Sequence, residues 1–110
     1  MNILEEFEYL NNLLNIYGEL ISKSQKEILN DYYRLNLSIS EIAINRNITR
    51  SAVNDAIHKG KQKLLDYENK LQIFEERNDL LKDIDRIKQS ADKATIKELE
   101  KLERKIRHGI

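Results

Sequence analysis

The chain has 110 residues, of which 40% are hydrophobic and 35% charged, with 19 basic and 19 acidic side chains and no Cys. That length suits about one domain. The missing Cys excludes disulfides and Cys-based metal sites, and zero net charge excludes a uniformly basic nucleic-acid coat. Pro is absent and Gly occurs only at Gly18, Gly60 and Gly109, so little interrupts helices and an all-α fold is expected. No apolar run approaches the roughly 18–20 residues that span a bilayer, so no membrane insertion is expected. The N-terminal MNILEEFEY is acidic and lacks the basic-then-apolar order of a signal peptide, so a cytoplasmic location is expected.

Leu4, Phe7, Leu10, Leu14, Tyr17 and Ile21 recur at three- and four-residue spacing. This predicts a first helix over roughly 3–22 with one buried stripe. Ser24-Gln25-Lys26-Glu27 has the form of a capping box and opens a second helix ending near Leu35. Ile28, Leu29, Tyr32 and Tyr33 are its core-facing residues. Asn36-Leu37-Ser38 then forms a turn.

Ser38 to Ile57 reads as a helix-turn-helix. Ser38 and Glu41 form an S-x-x-E capping box at a helix start. Ile42 and Ala43 fall on the inner face, where a small Ala permits a close helix crossing. Asn47 stands where the tight turn wants Gly, and Asn is the next-best residue for a left-handed backbone. Ile48 is expected to plug the core. Thr49 caps a second helix whose buried positions are Val53 with Ala56 or Ile57. Such a unit most often fits duplex DNA.

That second helix has no clear stop. Gly60 costs about 1 kcal/mol relative to Ala in a helix interior, enough to kink it but not to end it. Leu64, Tyr67, Leu71, Phe74, Leu81, Ile84 and Ile87 continue the apolar pattern, with a gap at Arg77-Asn78. One extended helix is therefore expected to about Gln89, followed by a break at Ser90-Ala91-Asp92. A last helix over 93–107 carries Ile96, Leu99, Leu102 and Ile106. The expected organisation is a helical domain over 1–66, with the helix-turn-helix at 38–65, and an extension over 67–110. The extension has more apolar stripe than one small domain buries. A homodimer through residues 64–106 is the expectation, two-fold symmetry being the default.

Charge is unevenly spread. Residues 1–36 sum to −3 (3 basic, 6 acidic), residues 37–65 to +3 (5 basic, 2 acidic), and residues 66–110 to zero (11 of each). The positive stretch coincides with the motif, where phosphate contact needs it. The outward positions of its second helix are Arg50, Ser51, Asn54, Asp55, His58, Lys59 and Lys61. Arg and Asn suit guanine and adenine edges in the major groove, while Lys59, Lys61 and Lys63 are placed to meet phosphates. The candidate nucleic-acid-binding residues are thus Arg50, Ser51, Asn54, His58, Lys59 and Lys61. Asp55 opposes this, since a carboxylate on a reading face is repelled by phosphate unless it pairs with Arg50 or Lys59. His58 and His108 show no ligand spacing, and no phosphate-cradling Gly-rich loop or nucleophile elbow occurs. No enzyme activity, metal or cofactor is expected.

Several of these strings together resemble the YlxM family of small bacterial proteins. Its motif is similar to the promoter-reading C-terminal domain of sigma factors. The match runs from Leu13 to Phe74. It takes in Leu14 and Tyr17, Ser24-Gln25, Tyr32-Tyr33, Ser40-Glu41-Ile42-Ala43, Thr49-Arg50-Ser51-Ala52-Val53, Asp55 and Ile57. It ends on Tyr67-Glu68-Asn69-Lys70-Leu71 and Phe74. The resemblance implies a sigma-like helical fold and a regulatory role in the signal recognition particle pathway. Members are typically encoded beside the particle's GTPase, Ffh. The partners implied are Ffh, the particle's RNA, or DNA, and the alternative role is a sequence-specific transcriptional regulator whose duplex binding weakens steeply with salt. No catalytic residues belong to the pattern. Arg46 and Asn47 depart from it, standing where an apolar residue and Gly are preferred, which predicts a loosened turn.

Overall fold

A computed structural model describes residues 1–109. Among them every regular element is helical. α1 spans Ile3–Tyr17, α2 Lys23–Leu29, α3 Ile39–Arg46, α4 Arg50–Leu71, α5 Ile73–Lys88 and α6 Lys93–Arg107. A 3₁₀ turn, Gly18–Leu20, follows α1, and a π-helical turn, Asn30–Arg34, extends α2. The chain forms two compact units, Met1–Leu71 and Gln72–Ile110.

Most starts have a side-chain cap that replaces the missing intrahelical acceptor. Asn2, Ser22, Ser38 and Asp92 each accept from the backbone N–H three residues on. Ser38 and Glu41 satisfy each other's backbone as a reciprocal box. For α2 the cap is Ser22 rather than the expected Ser24, because Ser22 Oγ takes the Gln25 N–H at 3.1 Å. The first helix also stops at Tyr17 instead of continuing to 22, tightening into the 3₁₀ turn. Leu4, expected on the buried stripe, is exposed, and Leu13 is buried in its place.

The core of the first unit lies where α1, α2 and α3 pack on α4. Leu10, Leu13, Leu29, Ile42, Val53 and Leu64 are all but sealed from solvent. Val53, Ile57, Gly60 and Leu64 form one stripe of α4 at helical spacing. α4 runs unbroken through Gly60. The glycine makes room: a Cβ there would sit 2.7 Å from Leu29 Cδ1 and 3.2 Å from Leu29 Cγ. Tyr17 and Glu68, both buried, join the end of α1 to α4 through a 2.6 Å hydrogen bond.

The single helix expected from Arg50 to Gln89 is two helices. Gln72 adopts a left-handed backbone, φ 54 and ψ 31, and separates α4 from α5. The expected gap at Arg77-Asn78 lies inside α5. A non-Gly left-handed residue costs roughly 1–2 kcal/mol, so local preference does not favour this break. The second unit is a hairpin in which α6 runs back along α5. Lys88 pairs with Glu103, and Arg77 lies beside Gly109. Ile84 and Ile106 are its buried aliphatics.

Candidate nucleic-acid interface

The helix-turn-helix is formed by α3 and α4. Asn47 ends α3 in the left-handed region, φ 53 and ψ 48. The Asn47 N–H donates to Ile44 O at 3.3 Å and the Ile48 N–H to Ala43 O at 3.1 Å. This is the Schellman arrangement, which satisfies the carbonyls a helix end leaves open. Thr49 Oγ1 then accepts the Ala52 N–H at 3.0 Å and starts α4.

The loosened turn expected from Arg46 and Asn47 is not found. Arg46 Nε donates to Asp31 Oδ2 at 2.6 Å, and Nη1 to Glu27 Oε2 at 3.1 Å. Asp31 is buried, and its hydrogen bond to the guanidinium raises the Arg46 pKa above its ordinary value. An ionic clamp from α3 to α2 and its π-helical turn thus does the work of the apolar residue preferred there.

Ile48 does not plug the core. It is 38% exposed, and Ile44 is 79% exposed. The Ile48 N–H donates to Ala43 O, and Thr49 directly after it caps α4. The crossing of α3 and α4 is filled by Ile42, Ala43 and Val53 instead. Ile44 and Ile48 line an open depression of about 430 Å³ with Ser40, Asn47 and Arg50. Nothing in the sequence warned of it, because Ile48 is expected in the core.

On α4, Ser51, Asp55 and His58 lie opposite the buried Val53–Ile57–Gly60 stripe, flanked by Arg50 and Asn54 on one side and Lys59 on the other. Arg50, Ser51, Asn54, His58 and Lys59 are exposed. The site residues read from sequence therefore share one presented surface, with Lys61 at its edge. Their charges are less available than their positions suggest. Lys59 Nζ pairs with Asp55 Oδ2 at 3.2 Å, which answers the difficulty posed by Asp55 but cancels a cation. Lys61 Nζ reaches across to Glu6 Oε1 of α1 at 2.6 Å, and both side chains are about one-third exposed. Lys63 Nζ donates to Gln25 Oε1 at 3.2 Å. Of the five cations of residues 37–65, Arg46, Lys59 and Lys61 are in ion pairs among the described residues.

Asn54 and His58 also rim a shallow groove of about 210 Å³ against α1, floored by Phe7, Tyr32 and Tyr33. Those three rings pack with centroids 4.9–5.2 Å apart. Burial pushes the Tyr33 hydroxyl up to about 12. The π-helical turn sets Tyr32 and Tyr33 in this cluster, a feature without a sequence signature. No helix among the described residues is long and apolar enough to cross a membrane.

A family model described as "UPF0122: Putative helix-turn-helix protein, YlxM / p13 like" matches residues 4–104. A UPF0122 protein of Fusobacterium nucleatum subsp. nucleatum is 39% identical over 97 residues, covering 88% of this chain and 94% of that protein. One from Clostridium acetobutylicum is 44% identical over 84 residues, covering 74% and 72%. A protein of Mycoplasma mycoides, named as a probable UPF0122 protein, is 36% identical over 103 residues, covering 92% and 91%.

Proposed function

Because this chain belongs to the UPF0122 family of YlxM / p13-like helix-turn-helix proteins, we propose that it is a non-catalytic regulator that binds duplex DNA through α4. One observation carries this reading. Arg50, Ser51, Asn54 and His58 form an exposed row on a capped helix directly after a locked turn. Arg50 and Asn54 have the hydrogen-bonding groups that match guanine and adenine edges, and Ser51 accepts either. Pairing of Asp55 with Lys59 lowers the repulsion that a bare carboxylate would meet at phosphate. Phosphate contact falls to Lys63, since Lys59 is paired with Asp55 and Lys61 is engaged by Glu6. The test is selection from a random duplex pool followed by fluorescence anisotropy. An enriched sequence whose binding Arg50→Ala abolishes supports the reading, and a pool that stays unenriched sinks it.

A second reading is regulation of the signal recognition particle by contact with its GTPase, Ffh, or its RNA. The family resemblance suggests it, and the exposed Ile44–Ile48 depression beside Arg50 favours a protein surface over a phosphate backbone. Capture of Ffh by tagged protein, surviving nuclease and lost in Ile44→Glu, distinguishes this reading. A cytoplasmic location fits both.

A further inference from the structure

The hairpin of α5 and α6 is built from about 40 residues, a size at which chains seldom stay folded without added support. Its own helices bury few apolar side chains, and one face is left open. α5 carries two seams with seven-residue spacing. Phe74, Leu81 and Lys88 mark the side turned to α6, since Lys88 pairs there with Glu103. Ile73, Leu80 and Ile87 each precede one of these residues and therefore lie about 100° further round the helix. Leu80 is 48% exposed and Ile87 45%. On α6, Leu102 likewise precedes the inward Glu103 and is 45% exposed. The two helices are antiparallel, so the same one-residue offset brings Leu80, Ile87 and Leu102 to one face of the hairpin. Apolar residues repeating every seven positions seek another helix.

Charge selects which helix. The outer flank of the α5 seam carries Glu76, Asp79 and Asp83, and the outer flank beside Leu102 carries Glu98, Lys101 and Lys105, all exposed. Asp83 pairs with Arg86 and Lys101 with Glu98, surface pairs within one helix that are worth little and easily exchanged. The face is acidic along one edge and net basic along the other, so it complements a copy of itself turned by a two-fold axis parallel to the helices.

We propose that two copies of this chain join face to face through the hairpin, with α5 of each lying on α6 of the other. The result is a four-helix arrangement whose centre is Leu80, Ile87 and Leu102. The alternative two-fold, α5 on α5, sets the acidic edges against each other and is disfavoured by like charge. This pairing does not depend on what α4 binds.

Sedimentation equilibrium of the full chain tests it, with far-UV circular dichroism to verify that each variant remains helical. The wild type is expected to be a dimer, and Leu80→Glu with Leu102→Glu a helical monomer. Asp79→Lys with Asp83→Lys should weaken the dimer by about tenfold or more. Adding Lys101→Glu and Lys105→Glu to the same chain should restore it, because α5 then again meets α6 of opposite charge. A wild type that is monomeric or larger than a dimer overturns the proposal. So does a dimer indifferent to the Asp79 and Asp83 reversals, or one that the compensating reversals fail to restore.

Discussion

The Tyr17 hydroxyl donates to Glu68 Oε1 at 2.6 Å across 51 positions of sequence, with both residues buried. Tyr17 also stacks on Tyr67, ring centroids 5.9 Å apart. The last residue of α1 thereby holds the helix that carries the presented surface. Removing a donor from a buried carboxyl costs about 1–3 kcal/mol. Tyr17→Phe, which keeps the ring, should lower unfolding stability by that amount in urea titrations, without changing helix content. An unchanged midpoint would mean that the stacked rings, not the hydrogen bond, make this junction.

Gly60→Ala should destabilise although Ala is the better helix former. The gain from propensity is about 1 kcal/mol. Against it stands a Cβ 2.7 Å from Leu29 Cδ1, a side chain with no room to retreat because it is itself fully buried. Overpacking of this kind costs about 1–3 kcal/mol, so the net change is a loss of up to about 2 kcal/mol. Leu29→Val in the same chain should recover part of it, and thermal unfolding of the single and double variants measures that coupling.

What was legible in the sequence was mostly local. The Ser38–Glu41 box, the left-handed Asn47 and the Thr49 cap each depend on residues within four positions, and each is found as read. The buried Ile42, Ala43 and Val53 follow from periodicity. The misreadings were decided at longer range. Gln72 has no turn chemistry of its own, so nothing nearby announced the break between α4 and α5. Ile48 is apolar and in register, yet Ile42, Ala43 and Val53 are the buried residues there and it stays 38% exposed. Lys61 lies at the edge of the surface read from the motif, but Glu6, 55 residues earlier, holds it. The Tyr67-Glu68 string that carried part of the family resemblance proves to be the junction with Tyr17.

The acid limb of the stability curve should show the helix caps. The Ser38 backbone N–H, and then its hydroxyl, hold the Glu41 carboxyl below its ordinary 4.5. The Thr95 hydroxyl and backbone do the same for Asp92, below 3.8. Both groups bind protons less readily folded than unfolded. Their stabilisation is therefore complete above those ordinary values and is lost as pH falls through the lower folded ones. Glu41→Gln should flatten the fall in stability below pH 4.5 while leaving the neutral-pH fold intact. Urea titrations at stepped pH read this directly, and an unchanged acid limb would remove Glu41 from the cause.

Arg50 and Lys61 should separate binding from stability. Arg50 is exposed and makes no ion pair among the described residues, so Arg50→Ala should leave the unfolding midpoint unmoved and cost about 1–3 kcal/mol of base discrimination. Lys61→Ala breaks the 2.6 Å link to Glu6. At about one-third exposure that link is worth up to about 1 kcal/mol of stability, and its loss should leave duplex affinity nearly unchanged. The salt dependence follows from the same geometry. With Lys59 cancelled by Asp55 and Lys61 held by Glu6, and Arg50 given to a base edge, Lys63 remains for phosphate, so the logarithmic salt slope should be about −1 per copy. This is shallower than the bare count of lysines in the motif suggests. A slope of about −3 would mean that Lys59 and Lys61 leave their carboxylates on binding, and that the ion pairs are a resting state the duplex displaces.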